Sequence, residues 1–218
     1  MPSFWQAVAM ISSLAMRHNP AQKPLRLNGM RPVRATLRKR TAAIHEALHG
    51  AAPFAAIAER RLDLGGYCRL LGALSGFHSS LAIVVEAGCR SLDDPALLTA
   101  CERRRELLAR DLDAIGGQGA TRASRPLELI DEAWAAGCLY TLVGSTVGGK
   151  VIYRQLDYLL KTPTGRTFFA GTSEDGARWR GLCERLEAFG AEPESLTRLV
   201  AGAHAAFQHF ASCLEGHS

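Results

Sequence analysis

From residue 33 onward, apolar residues recur at intervals of three and four, and two-residue alternation is almost absent. That period predicts helices. A first helix over 33–49 sets Val33, Leu37, Thr41, Ile44 and Leu48 near one face and stops before Gly50, a residue type suited to a helix end. A long helix follows over about 64–88 and ends near Gly88. Asp93 or Asp94 caps the next, with Pro95 in its first turn, and that helix runs to about Ile115 before GGQG breaks it. Pro126 opens another long helix that ends near Leu160. The segment KTPTGRTFFAG, 161–171, reads as a loop with Phe168 and Phe169 turned inward. Helices over about 174–189 and 194–214 finish the chain. The fold class predicted is all-α, without internal repeats.

Residues 1–30 break this pattern. FWQAVAMISSLAM is apolar but short, and no basic residue precedes it. A signal peptide needs a basic start and a membrane span about 20 apolar residues. HNPAQKPLRLNG then reads as a loop. The expectation is a poorly ordered extension over 1–30 and one helical domain over 31–218, with Met30 as an alternative start of translation. No other stretch reads as a membrane span.

Composition adds little until charge is placed. The 218 residues are 47% hydrophobic and 22% charged, ordinary for a globular chain. The net charge of +5 admits nucleic acid, a membrane surface or an acidic partner. Yet the positive charges are scattered among Glu and Asp, apart from one dense run, RATLRKR, over 34–40. That run is either a solvated helix face or a site for an anionic group. The six cysteines form no CxxC or zinc spacing and read as reduced, buried thiols of a cytoplasmic protein.

The familiar catalytic signatures are missing: no P-loop, no GxGxxG after a strand, no HExxH. GSTVGG puts Ser145 inside a helix, where a nucleophile elbow cannot form. A lone histidine on a helix is usually structural or exposed. His45 and His49 share a helix side, four residues apart, with no acidic third ligand nearby; for His49, a place in the last turn beside the helix dipole is explanation enough. His45 has a different setting. Arg38, seven residues earlier, lies on nearly the same face about 10 Å away along the axis. An imidazole with a cation two turns off suits a planar dianion with a central metal, and haem has that form. The second feature is LVGSTVGGKVI, 142–152. Gly144, Gly148 and Gly149 each cost a helix about 0.8–1 kcal/mol relative to alanine. Close helix packing would justify them, and so would close approach of the backbone to a flat ligand.

Taken together, these stretches resemble the haem oxygenase family, in particular its bacterial, biliverdin-producing branch. LRKRTAAIHEALHG, with Thr41 and His45 in a Thr-x-x-x-His pattern, looks like the family's proximal helix, and Tyr67 follows at a fitting distance behind Gly65–Gly66. Tyr140 with GSTVGG resembles the distal helix. The resemblance implies a single-domain helical bundle that holds haem between the proximal helix and a kinked distal one. It makes His45 the axial iron ligand. It implies that Arg38 and Tyr140 meet the propionates and that Gly144, Gly148 and Gly149 lay backbone over the haem. Phe207 is placed in the pocket wall, with Arg178 or Arg180 as further propionate partners. Ser145 departs from the pattern of animal members, which carry an aspartate there; it donates and accepts hydrogen bonds but holds no charge.

The activity implied is oxidative cleavage of haem to biliverdin, with release of ferrous iron and CO. O₂ and electrons would be consumed, the electrons coming from a ferredoxin, flavodoxin or reductase, since the chain has no flavin or nicotinamide motif. A bilin-accepting phytochrome is a possible recipient of the product, and neither nucleic acid nor membrane is an expected partner. The rival reading keeps the fold and drops the turnover: a haem- or bilin-binding carrier or sensor. A thiaminase-like helical enzyme lacks its carboxylate and cysteine constellation here, and a basic helical regulator lacks a helix-turn-helix.

Overall fold

A computed structural model describes residues 33–117 and 124–216; the predicted N-terminal extension lies outside them. Among the described residues there are helices and no strands. In chain order they are α1 (Val33–His49), α2 (Ala52–Ala58), α3 (Leu64–Ser80), α4 (Ala82–Ser91), α5 (Pro95–Ala114), α6 (Glu132–Gln155), α7 (Thr167–Ala170), α8 (Asp175–Phe189) and α9 (Pro193–Glu215). A short 3₁₀ turn, Leu156–Tyr158, extends α6.

The long apolar helix α6 is the centre. α9 runs along it, α4 covers another side, and α7 and α8 lie against its C-terminal half. α9 also touches α1 and α3, so it forms a floor from which α1 stands beside α6. The α6–α9 crossing is a backbone contact. A side-chain carbon at Gly137 would collide with the Leu199 carbonyl, and one at Gly202 with the Trp134 carbonyl. Two side-chain bonds tie the same crossing: Cys138 Sγ donates to the Gly202 carbonyl (3.2 Å) and Thr141 Oγ1 to that of Ala203 (3.0 Å).

Local chemistry sets the element ends. Asp94 is the cap chosen for α5, its Oδ1 accepting from the Leu97 amide (3.0 Å), with Pro95 in the first turn as expected. α6 begins later than Pro126. The Leu127 amide donates to the Ser80 carbonyl (3.0 Å), outside any helix, and Asp131 caps the first turn at the Trp134 amide (2.7 Å). The long helix expected over 64–88 is two, bent by 52° at Leu81. There the Ser80 carbonyl is taken by Leu127, and its hydroxyl donates to the Phe77 carbonyl (2.8 Å), so the helical ladder is interrupted without proline or glycine. The short α2 was not foreseen in the sequence. Phe168 and Phe169 are buried, and all six cysteines are free thiols.

Candidate functional site

α1 is anchored at its first turn. The amides of Val33 and Arg34 donate to the Glu187 carboxylate (2.7 and 3.1 Å), which answers the helix's orphan donors and its dipole. Midway, His204 Nε2 donates to the Arg40 carbonyl (2.9 Å). The buried stripe of Val33, Leu37, Thr41 and Leu48 faces inward. At 3.6 residues per turn, Arg34, Arg38 and His45 fall within about 40° of one another on the helix surface.

His45 is exposed on that face, and two rings hold it. His49 Nε2 lies 3.0 Å from His45 Nδ1, with the imidazoles nearly perpendicular and their centroids 4.1 Å apart. Phe207 of α9 meets His45 edge-on at 5.8 Å. Desolvation lowers the His45 pKa against the opposing pull of Glu46. His49 is pushed down to about 3, first by desolvation and then by His45. Two neutral imidazoles sharing a hydrogen bond need one donor and one acceptor. With His45 Nδ1–H donating, Nε2 keeps its lone pair as the ring's remaining base; the opposite tautomer would protonate Nε2 and remove the ligand.

One corner of the cleft is basic. Trp179 of α8 packs against Tyr140 of α6 with the rings tilted and 5.2 Å apart, and the Arg34 guanidinium lies over the same indole at 5.7 Å. The Tyr140 phenol is pushed up to about 12, by desolvation first and by Cys183, while Arg34 and Arg38 pull the other way. A neutral hydroxyl within the field of two guanidiniums is a place for carboxylate oxygens.

The glycines divide. α6 is continuous through all three. Gly144 shares a side with Tyr140, and a side-chain carbon there would sit 3.2–3.3 Å from the indole of Trp179, so bare backbone already lies against a flat aromatic ring. Gly148 is buried about 40° further round the same side. Gly149 lies on another side, 3.0 Å from the Phe169 carbonyl at its hypothetical side-chain carbon, where it lets α7 dock. Ser145 is exposed and donates back to the Leu142 carbonyl (2.7 Å) within its own helix.

Tyr140 and Gly144 thus share Trp179, the charges of Arg34 and Arg38 reach Tyr140, and His45 meets Phe207 further along the same face of α1. Trp179 belongs to this arrangement and was not foreseen in the sequence; Arg34 was noted only as part of the basic run over 34–40. Arg34 sits one turn before Arg38, and Trp179 lies between the two arginines considered at 178 and 180. Arg178 itself pairs with Glu174 and Asp175, away from Tyr140. Tyr67 is buried, and its hydroxyl donates to the Gly165 carbonyl (2.8 Å) as a strut beneath the 161–171 segment. Among the described residues no cluster of three or more His, Cys, Asp or Glu could hold a bare metal ion. A single imidazole suffices where a macrocycle supplies the other donors. His45, the basic corner and the bare backbone of Gly144 therefore fit haem.

No family model matches the chain. It is 35% identical to a haem oxygenase of Xanthomonas campestris pv. campestris over 120 residues, which make up 51% of this chain and 67% of that protein. The fold is similar to solved haem oxygenases. That of Neisseria meningitidis, determined with NO and CO bound, gives a TM-score of 0.66 at 21% identity over 86% of this chain and 92% of the other. That of Leptospira interrogans gives 0.68 at 17%, over 85% and 100%. That of Synechocystis, in complex with haem, gives 0.64 at 16%, over 85% and 92%. With two thirds of a curated relative aligned at that identity and an all-α frame common to the solved examples, the chain belongs to the haem oxygenase family.

Proposed function

We propose that the chain cleaves haem oxidatively to biliverdin, with release of ferrous iron and CO, using O₂ and electrons from a separate donor. The observation that carries this reading is the hydrogen-bonded His45–His49 pair on the same side of α1 as Arg34 and Arg38, whose charges reach Tyr140. When bound, haem supplies the iron and the ring on which the oxygen chemistry occurs. The residues of the chain supply position and protons. His45 Nε2 would hold the iron, and His49 would accept the Nδ1 proton and fix the tautomer. Arg38 and Arg34 bind the propionates with the Tyr140 hydroxyl, and so set the rotation of the ring and the carbon attacked. Phe207 limits the pocket beside His45. Gly144 and Gly148 put backbone where side chains would fill the distal space. Gly149 supports that wall from behind. Ser145 carries no charge and is bonded to Leu142, so proton delivery rests on water ordered by α6 carbonyls rather than on a carboxylate.

Arg38, Lys39 and Arg40 are exposed at the edge of α1 and form a docking surface for an acidic ferredoxin, flavodoxin or reductase. Six free thiols accord with a cytoplasmic setting. α6 with its 3₁₀ turn, Glu132–Tyr158, is long and apolar enough to cross a bilayer, but most of it is buried within the protein.

The test is a reconstituted turnover. Haem, O₂ and a reductase system should replace the Soret band with a bilin spectrum, at a rate that falls with added salt. A Soret band that persists under these conditions points to a carrier instead. A His45→Ala protein that keeps the wild-type axial-ligand spectrum would remove the basis of the assignment.

A further inference from the structure

Behind α6, away from the cleft, lies a cavity of about 240 Å³ whose chemistry the reading above leaves unused. Its lining includes Leu142 and Val143 of α6, which at 100° per residue lie about 160° and about 100° round the helix from Gly144. Leu97 and Leu107 of α5 extend this apolar wall, and Arg104 of α5 supplies the charge. The Arg104 guanidinium lies over Phe168 at 4.1 Å, and the His78 ring stands perpendicular to the same phenyl at 5.5 Å. Arg104 Nε is buried and, among the described residues, has no hydrogen-bond partner; no carboxylate there forms an ion pair with this side chain. Burial pushes its pKa down to about 10, which leaves it charged at neutral pH.

The nearby carboxylates are already engaged. Asp175 accepts from the Thr172 amide and hydroxyl (both 2.7 Å) and pairs with Arg178, which also holds Glu174. The cavity lining carries Arg103, Arg104 and Arg178 against Glu174 and Asp175, three positive charges and two negative, a formal balance of +1. A buried donor left without an acceptor is costly, and the Asp175 carboxylate, which pulls on the Arg104 charge without hydrogen-bonding its Nε, leaves room for one further negative group. A dianion would meet the two fixed carboxylates.

We propose that this cavity binds a small organic monocarboxylate. Its carboxylate pairs with the planar fork of Arg104, and its short aliphatic body lies against Leu97, Leu107, Leu142 and Val143. The site stands apart from the haem cleft and does not depend on the turnover proposed above.

The probe is hexanoate, titrated calorimetrically into the full chain with and without haem, with inorganic phosphate as the dianion control. The expected result is saturable single-site binding of hexanoate, unchanged by haem, with phosphate much weaker. Arg104→Gln should weaken hexanoate at least about tenfold, the equivalent of one charge-assisted contact. Ala100→Phe, which narrows the cavity and leaves the guanidinium in place, should block binding, and it decides the matter if Arg104→Gln does not fold. The proposal is overturned by absence of saturable binding, by affinity untouched in the folded variants, by phosphate binding as tightly, or by competition from haem.

Discussion

At the scale of single residues, the proposed function rests on two neutral side chains and one bare backbone position. His49 is four residues from His45 and accepts its Nδ1 proton in the ligating tautomer. Replacing it with leucine removes the acceptor without adding charge. Haem should still bind to His49→Leu, but ferrous resonance Raman spectra should show a weaker iron–histidine stretch, largely restored in His49→Gln. An unchanged stretch in His49→Leu would show that this pair does not tune the ligand. Gly144 is the converse case. Alanine there gains up to about 1 kcal/mol of helix propensity, while its methyl meets an indole that can shift by a few tenths of an ångström. Gly144→Ala should therefore unfold in urea at about the wild-type midpoint, and chromatography of the bilin should show slower formation or a changed isomer ratio.

At the scale of elements, the glycines that hold the bundle together are elsewhere. A side-chain carbon at Gly137 meets the Leu199 backbone, which cannot rotate away. Gly137→Ala should cost about 2 kcal/mol or more, as overpacked helix crossings do. A urea midpoint equal to that of Gly144→Ala would contradict the backbone contact. This contrast also marks what could be read from the sequence. The apolar period gave α1, α5, α8 and α9 to within a residue or two, and at α5 the local cap Asp94 helped. The bend at Leu81 depends on a carbonyl claimed by Leu127, far along the chain, and no local pattern encodes it. Helical spacing singles out Arg38 and a family pattern singles out Tyr140, and the structure brings the charge of the first to the second. Trp179 was not legible, because its place depends on how α8 packs between α1 and α6. Gly149 was legible as a glycine, but its packing against Phe169 follows only from the position of α7.

At the scale of the molecule, acid should loosen the core through His78. It is buried, and its pKa is pushed down to about 3 by desolvation and then by Arg104 and Arg105, against 6.5 for the ordinary group. Above pH 6.5 it is neutral folded or unfolded and adds no pH dependence. Below that, the unfolded chain takes up a proton that the folded one refuses, so stability falls as pH drops from 6.5 toward 3, on the order of 1 kcal/mol per pH unit. Urea midpoints at pH 7, 6 and 5 should show this slope, flattened in His78→Leu; an equal slope in the variant would place the acid sensitivity elsewhere.

The two walls of the cleft are also held unequally. α6 buries thirteen of its 24 residues, whereas α1 buries four of 17 and is pinned at its first turn by Glu187. One wall is masonry and the other a door, hinged at Glu187 and latched midway by His204. A flat molecule trapped between them leaves when the door swings, so its residence time follows the opening of α1. Amide hydrogen exchange should show α1 opening well before the middle of α6, and Glu187→Gln, which weakens the hinge, should speed both that exchange and the escape of haem to an apo-globin acceptor.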